Sequence, residues 1–239
     1  MKSKMKVEIW SDVMCPFCYI GKRKFENALA EFPGKDKIEL EWKSFQLAPD
    51  MKTSPGKSIH QYLADHKGFS LQDAKRMNDH VTALAAKVGL TYNFDKSIVA
   101  NSFNAHRFSH FAKTKGKQNE AEEKLFHAYF TDGKNIDDYN TLIKLGEEIG
   151  LEPIDTRAAL ESGAFANEVK ADIEEAGQLG VQGVPFFVFD RKYAVSGAQE
   201  SQTFTQVLNK SFEEWSKENP ITLTEMADGQ VCTPEGKCD

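Results

Sequence analysis

The sequence is poor in cysteine, in positive charge and in long apolar runs. Its 239 residues include four cysteines, and 36 acidic residues outnumber 30 basic ones, which leaves a net charge of -6. Four cysteines are too few for a disulfide-rich scaffold. A negatively charged chain offers no basic field to nucleic acid or to an anionic membrane. We therefore expect neither a nucleic-acid nor a membrane partner.

Targeting and membrane-spanning segments are also missing from the pattern. The N-terminal stretch MKSKMKVEIWSD has basic residues but lacks the apolar run of about 7–15 residues that a secretion signal needs. No later stretch approaches the ~18 uninterrupted apolar residues of a membrane helix. We therefore expect a cytoplasmic protein. Its 40% hydrophobic content, with 11% aromatic residues, is enough for a sizeable core in one large or two smaller domains.

Strand patterns occupy the two ends of the chain. The stretch KVEIW alternates, a helical pattern follows, and KIELEWKSFQL alternates again, which predicts a β-α-β unit with parallel strands. Near the C-terminus, VPFFVFDRKYAVSG predicts a β-hairpin with a charged turn at Asp190, Arg191 and Lys192, followed by an amphipathic helix. Residues 48–58 read as a polar linker, and from there to residue 178 the apolar residues recur at helical spacing.

Neither group of strands can bury both faces alone, so the most economical arrangement is one sheet built from both ends of the chain. The pattern predicts an α/β fold in which residues 5–56 and 179–219 form one discontinuous domain. Residues 57–178 then form an all-helical insertion, and residues 220–239 form a C-terminal tail.

The pair Cys15 and Cys18, in the sequence CPFC, follows the first predicted strand and precedes the first predicted helix. The positive end of a helix favours the thiolate, which is the reactive form of cysteine. Cys18 lies one turn further on, where it can form a disulfide with Cys15. We expect Cys15 to be the exposed attacking thiol and Cys18 the partly buried one that resolves the intermediate. A Cys-x-x-Cys beside a β-α-β pattern is typical of a thioredoxin-like redox centre.

The cysteines are open to two further interpretations. A zinc site would use Cys15, Cys18, Cys232 and Cys238, but the last two are six positions apart, which is outside the usual spacing of a close ligand pair. Alternatively, Cys15 and Cys18 are inert core residues, because free cysteine is often buried.

Val184 and Pro185 stand at the entry of the predicted hairpin. Proline suits the first position of a strand, because it cannot donate a ladder hydrogen bond. The alternative is a cis peptide bond that leaves the Val184 backbone free to pair with an extended substrate beside the cysteines. The sequence alone does not choose between the two.

The stretches SDVMCPFCYIGKRKFE, NSFNAHRFSHFAK and GVQGVPFFVFDRKYAVSGAQ resemble the DsbA-type thioredoxin-fold oxidoreductases, and most closely their FrnE-like cytosolic branch. The resemblance covers nearly the whole chain. It implies a thioredoxin-like fold with an inserted helical domain, Cys15 and Cys18 as the reactive pair, and Val184 and Pro185 as the cis-proline loop. Pro16 and Phe17, between the cysteines, join that loop as expected substrate contacts.

The resemblance also implies further residues. Some FrnE-like members carry a second dithiol near the C-terminus, and CTPEGKC offers Cys232 and Cys238, with one more intervening residue than that motif has. Asn101 and His106, in the matching part of the insertion, are candidate pocket-lining residues. Periplasmic DsbA has a histidine before its second cysteine where this chain has Phe17, so we expect a weaker oxidant than DsbA.

These observations predict a thiol-disulfide oxidoreductase or isomerase that acts on thiol- or disulfide-containing proteins. No metal or cofactor is expected beyond the Cys15–Cys18 disulfide itself, with glutathione as a candidate partner. One alternative is a glutathione-dependent isomerase or transferase for small polyketide- or hydroxychromene-type molecules, although such an enzyme has no need of Cys18. Another is a redox-controlled chaperone or binding protein.

Overall fold

The computed structural model describes residues 4–220, and this part of the chain contains six strands and nine α-helices, besides a 3-10 turn at Lys35–Lys37 and a π-helical turn at Ala128–Asp132. The strands are β1 (Met5–Ser11), β2 (Ile38–Ser44), β3 (Ser54–Ser58), β4 (Ile98–Val99), β5 (Phe186–Phe189) and β6 (Tyr193–Ser196). The helices are α1 (Pro16–Ala30), α2 (Ile59–Lys67), α3 (Leu71–Ala86), α4 (Phe103–Thr114), α5 (Gln118–His127), α6 (Tyr139–Glu148), α7 (Pro153–Glu161), α8 (Ala166–Gln178) and α9 (Ser201–Glu218).

One four-stranded sheet uses strands from both ends of the chain, in the order β2-β1-β5-β6. Strand β1 runs parallel to β2 and antiparallel to β5, and β5 and β6 form the predicted hairpin. In that hairpin the Lys192 N–H donates to the Phe189 carbonyl and closes a β-turn, whose central residues Asp190 and Arg191 both have positive φ, as in the turns that match the twist of the strands. The predicted α/β class, with a sheet shared between the two ends, is confirmed.

Strand β1 is central, and helices cover both faces of the sheet. On one face Phe25 of α1 packs against Phe187 of β5 and Phe204 of α9, with ring centroids 5.5 and 5.6 Å apart. On the other face Trp10 packs with Ala176 of α8, and its indole N–H donates to the Asp172 carbonyl at 3.0 Å. Burial of these large rings on both sides fixes the end of β1, from which the cysteine loop leaves.

Helices α2 to α8 all lie within the segment that the sequence predicts as an insertion. The predicted linker at residues 48–58 and the predicted all-helical insertion both differ from the prediction, because β3 of the linker pairs with β4 of the insertion as a short antiparallel ladder. Strand β3 has the sequence SPGKS, inside the predicted linker, and its polar residues, proline and glycine give no strand alternation. None of the helices in residues 4–220 has the length and apolar content that crossing a membrane requires.

The insertion covers the outer edge of the sheet at β2. The Gln118 side chain of α5 accepts from the Trp42 N–H at 3.1 Å and donates to the Trp42 carbonyl at 2.9 Å. The Asp172 carboxylate of α8 accepts from the Ser44 N–H at 2.9 Å. These side chains form hydrogen bonds with backbone groups that an edge strand would otherwise present to other chains.

Candidate active site

The two cysteines of CPFC lie at the N-terminal end of α1, as predicted. Cys15 is the N-cap with extended backbone angles, and Pro16 is the first helical residue, where no N–H donor is needed. The Cys18 N–H donates to the Cys15 carbonyl at 3.0 Å. Both cysteines are free thiols in the structure. The positive end of the helix dipole therefore lies beside Cys15.

Both cysteines are buried, so the expectation of an exposed Cys15 is wrong. The residue is 4% exposed and Cys18 is 1% exposed. The Cys15 Sγ lies 3.5 Å from the Val184 carbonyl oxygen, which covers it from the opposite side of the site. Burial, together with the neighbouring Cys15 thiol, raises the pKa of the Cys18 thiol well above its ordinary value. Cys18 is therefore a protonated thiol at neutral pH.

The loop opposite the cysteines contains Val184 and Pro185, and the peptide bond between them is cis. Pro185 is buried, whereas Val184 is partly exposed. A methyl group on Gly21 would lie 2.9 Å from Pro185 Cγ, so helix α1 can pass this close to the loop only because Gly21 has no side chain. Glycine at this helical position thus sets the distance between the two sides of the site.

An acidic side chain that sequence patterns did not single out organises the loop before Cys15. Asp12 is fully buried, and its carboxylate accepts from the Met14 N–H at 3.2 Å and from the Leu47 N–H at 2.8 Å. Its carbonyl accepts from the Cys15 N–H at 2.9 Å. The one signal in the sequence is an acid inside the otherwise apolar stretch IWSDVMC, because buried carboxylates need such partners.

The insertion contributes Tyr92, which no sequence motif marked as part of the site. Its hydroxyl donates to the Pro16 carbonyl at 2.7 Å, and its ring stacks on Tyr19 and on Phe130. Burial, reinforced by the nearby Cys15, raises the pKa of Tyr92 above its ordinary value. Tyr92 is therefore a neutral donor that fixes the first turn of α1.

Asn101 holds the loop after β2 in place. Its side-chain amide donates to the carbonyls of Pro49 and Met51 at 3.0 and 2.8 Å. These two residues form part of the wall of a cavity of about 580 Å³ that also includes Leu47. Asn101 thus supports the wall of a cavity that begins beside the active-site loop.

His106, the second candidate pocket residue, lies beneath the loop that carries Cys15. It is 2% exposed, and its Nε2 is 3.6 Å from an Asp12 carboxylate oxygen. This places His106 behind the cysteine loop rather than on a surface that a substrate can reach.

Two large apolar residues that belong to the cysteine loop or are bonded to it have exposed side chains. Phe17, between Cys15 and Cys18, is 41% exposed, and Leu47, bonded through its N–H to Asp12, is 51% exposed. The role of Phe17 and of Pro16 in substrate binding stays a prediction. Cys232 and Cys238 lie outside the described residues, so their predicted dithiol does too. Within residues 4–220 no three or more His, Cys, Asp and Glu side chains are grouped so as to hold a metal ion.

A sheet of this order, a Cys-x-x-Cys at the start of the first helix and a cis-proline loop facing it define a thioredoxin-type fold with an inserted helical segment. The sequence matches the DSBA-like thioredoxin domain family over residues 6–209. The chain belongs to this family.

Several known proteins are similar to this chain. The chain is 29% identical over 206 residues to the uncharacterized protein YwbO of Bacillus subtilis (strain 168), covering 85% of this chain and 95% of the relative. It is similar to the crystal structure of a probable DsbA oxidoreductase from Streptomyces coelicolor, with 38% identity, a TM-score of 0.81 and 98% of each chain covered. The cytosolic disulfide reductase DsbM of Pseudomonas aeruginosa shares the fold, at 16% identity and a TM-score of 0.63, with 87% of this chain and 99% of DsbM covered.

Proposed function

We propose that this protein is a thiol-disulfide oxidoreductase that acts on protein disulfides through Cys15 and Cys18. The observation that carries the proposal is the unlike placement of the two thiols. Cys15 caps helix α1 and faces the Val184 carbonyl, whereas Cys18 lies one turn deeper as a buried, protonated thiol. A nucleophile at the helix end and a resolving thiol behind it are the two groups that disulfide exchange needs.

In the reductase direction the Cys15 thiolate attacks one sulfur of a substrate disulfide. A Cys15–substrate disulfide forms, and the second substrate sulfur leaves with the electron pair and takes up a proton. Cys18 then loses its proton and attacks the Cys15 sulfur, which expels the remaining substrate thiolate. The substrate gains two electrons and two protons, and the Cys15–Cys18 pair becomes a disulfide. The oxidase direction is the reverse sequence.

Turnover as a reductase requires a thiol donor, and we propose glutathione. Two glutathione thiols reduce the Cys15–Cys18 disulfide and leave as glutathione disulfide, so atoms and electrons balance. A cytoplasmic location belongs to this proposal, because the cytosolic glutathione pool is reducing. The related Pseudomonas protein is described as a cytosolic disulfide reductase, and a place in the FrnE-like branch would agree with the same direction.

The substrate class follows from the surroundings of Cys15. Phe17 between the cysteines and Leu47, whose N–H binds Asp12, are exposed apolar side chains, and Val184, whose carbonyl faces Cys15, is partly exposed. Apolar surface beside a nucleophile suits an extended or unfolded polypeptide better than a small polar thiol. A glutathione-dependent isomerase of small molecules would not need Cys18.

Trapping the mixed disulfide tests the proposal. When the reduced Cys18→Ser variant is mixed with disulfide-bonded insulin, a mixed disulfide with an insulin chain should accumulate. Peptide mapping should find this disulfide on Cys15. Cys15→Ser, which keeps the deeper thiol, should trap none. Insulin reduction with glutathione should require both Cys15 and Cys18. It should continue in the Cys232→Ser/Cys238→Ser double variant, because glutathione reduces the Cys15–Cys18 disulfide directly.

The two alternative functions give different results in the same set of variants. Isomerisation of a hydroxychromene carboxylate that needs glutathione but survives Cys18→Ser would favour the small-molecule enzyme. Suppression of client aggregation that survives loss of both Cys15 and Cys18 would favour a binding protein. Either result, together with no insulin reduction by the wild type, would refute the proposal.

A further inference from the structure

A buried carboxylate–imidazole pair lies directly beneath the active-site loop. Asp12 is 0% exposed and His106, on α4 of the insertion, is 2% exposed. The His106 Nε2 lies 3.6 Å from Asp12 Oδ1, the oxygen that also accepts from the Met14 N–H. The second oxygen, Oδ2, accepts from the Leu47 N–H. One carboxylate thus joins the cysteine loop, the loop after β2 and the insertion.

The charge state of His106 follows from its surroundings. Its Nε2 has no hydrogen-bond partner, although it is buried. Burial lowers the pKa of His106, but the Asp12 carboxylate, reinforced by Glu122 and the Phe45 backbone, outweighs burial and raises it above the ordinary value. In the neutral imidazole Nε2 carries either a lone pair or an uncharged N–H, depending on the tautomer, whereas the imidazolium always has an N–H there and a positive charge opposite Asp12. At 3.6 Å the interaction is one between charges rather than a hydrogen bond.

The remaining charged groups that act on this pair come from the neighbouring helices. Glu122 of α5 accepts from the Ser109 hydroxyl at 2.6 Å, its second oxygen has no partner, and burial raises its pKa. Lys22 of α1 also acts on Glu122. The buried hydroxyl of Tyr129 lies near Asp12, and burial raises its pKa, to which Asp12 adds.

Two neighbouring basic side chains of α4, Arg107 and His110, bind groups other than Asp12. The guanidinium of Arg107 donates to the carbonyls of Ala159 and Leu160 at the end of α7. His110 binds the Asp172 carboxylate at 2.9 Å. In the described residues the positive charge that faces Asp12 is therefore that of His106.

We propose that His106 is a positioning residue for the redox centre: as an imidazolium it holds Asp12, and through the Met14 and Leu47 amides it fixes both sides of the Cys15 loop. The helical insertion thereby influences the reactivity of the thiol pair. The attraction between His106 and Asp12 weakens as pH rises and His106 loses its proton. The inference rests on the proposed function, because it concerns the same site.

Titration of the wild-type protein by NMR tests the proposal without a variant. The Met14 and Leu47 amide resonances should move with the same midpoint as the His106 imidazole, and their protection from hydrogen exchange should fall above it. The Thr141 amide, which is bound to the Asp138 carboxylate, is the internal control and should not share that midpoint. If neither Met14 nor Leu47 follows His106, the proposal is refuted.

A pair of matched variants tests the consequence for redox chemistry. His106→Gln should change the glutathione equilibrium constant of the Cys15–Cys18 pair by about tenfold, the lower end of the effect that one opposite charge within about 4–6 Å has on an ionisation equilibrium. It should also remove one ionisation from the pH profile of Cys15 alkylation. His110→Gln, on the same helix and also buried, should change the constant by less than about twofold, because its partner Asp172 does not touch the loop.

Failure of this inference and failure of the proposed function are distinguishable. If the wild type forms no Cys15–Cys18 disulfide in glutathione buffers, the proposed function fails. If the wild type does so and His106→Gln behaves as His110→Gln does, only the role of His106 is refuted. Should His106→Gln fold poorly, the titration of the wild type still decides.

Discussion

The Tyr92 hydroxyl donates a hydrogen bond to the Pro16 carbonyl oxygen, 2.7 Å away. The donor belongs to the insertion and the acceptor lies between the two cysteines, so this bond couples the helical segment to the first turn of α1. Because the Pro16 carbonyl belongs to a turn that the redox change must accommodate, loss of the bond should affect both stability and the redox equilibrium.

Replacing Tyr92 by Phe keeps the stacked ring and removes only the hydroxyl. We expect the free energy of unfolding to fall by about 1 kcal/mol, the usual value for one neutral hydrogen bond. The glutathione equilibrium constant of Cys15 and Cys18 should also change measurably. Tyr193→Phe is the control: its hydroxyl binds Glu214 far from the cysteines, and the redox constant should be that of the wild type. Equal constants in all three proteins would contradict the coupling.

Gly21→Ala sets two effects against each other. Alanine in a helix gains about 1 kcal/mol over glycine, but here its Cβ would lie 2.9 Å from Pro185 Cγ and 3.5 Å from Ala198. Overpacking costs typically about 1–3 kcal/mol, so we expect a net loss of about 1 kcal/mol and slower insulin reduction as Pro185 shifts. Gly177→Ala in α8, with open space around it, should stabilise the protein instead. Denaturant unfolding measures both, and stabilisation by Gly21→Ala would show that the contact is not tight.

Alkylation should distinguish the two thiols of the reduced protein. Because burial raises the pKa of Cys18, the fraction of its thiolate at about pH 8 is smaller than that of an ordinary cysteine with a pKa near 8.5. We expect iodoacetamide to modify Cys18 at least about tenfold more slowly in the folded chain than in the chain unfolded with guanidinium, and later than Cys15. Mass spectrometry of quenched samples gives both rates. Equal rates for the two thiols in the folded protein would contradict the assignment of Cys18 as the resolving thiol.

Glu123 neutralises Lys22, a lysine whose side chain is only 2% exposed. Lys22 Nζ binds Glu123 at 2.7 Å and Glu26 at 2.5 Å. Glu123→Gln leaves Glu26 as the remaining carboxylate, so we expect a loss of about 2 kcal/mol, less than the roughly 3–5 kcal/mol for a fully stranded buried charge. Glu120→Gln, on the same helix and paired with exposed Lys117, should cost little.

The dependence of the free energy of unfolding on pH, measured in acid, gives a second test of Glu123. Burial opposes its ionisation, but hydrogen bonds from Arg23 and Lys22 outweigh burial and lower its pKa to about 2. Its contribution is therefore fully present above about pH 4.3, the ordinary value, and is lost as pH falls towards about 2. The difference in unfolding free energy between wild type and Glu123→Gln should shrink over this range. A difference that is independent of pH would contradict the ion-pair origin of the effect.

The sequence predicts the features that depend on short stretches of chain. Cys15 at a helix start, the β-α-β unit and the turn at Asp190 and Arg191 follow from residues close together, and all three are present. The burial of Cys15 depends on Val184, 169 positions away, and no periodicity reports such a contact. The same holds for Tyr92 on Pro16, 76 positions apart, and for Asp12 beneath the loop.

The place of β1 in the middle of the sheet has a consequence for synthesis on the ribosome. Its neighbour β2 is made soon afterwards, but its second neighbour, β5, begins at Phe186. Pairing across so long an intervening segment is slow, because the chain loses conformational entropy before any stabilising contact between the strands has formed. Until that strand emerges, CPFC lacks the Val184 carbonyl above Cys15. A nascent chain therefore exposes its own thiols to the same disulfide exchange that the finished protein confines to a covered site.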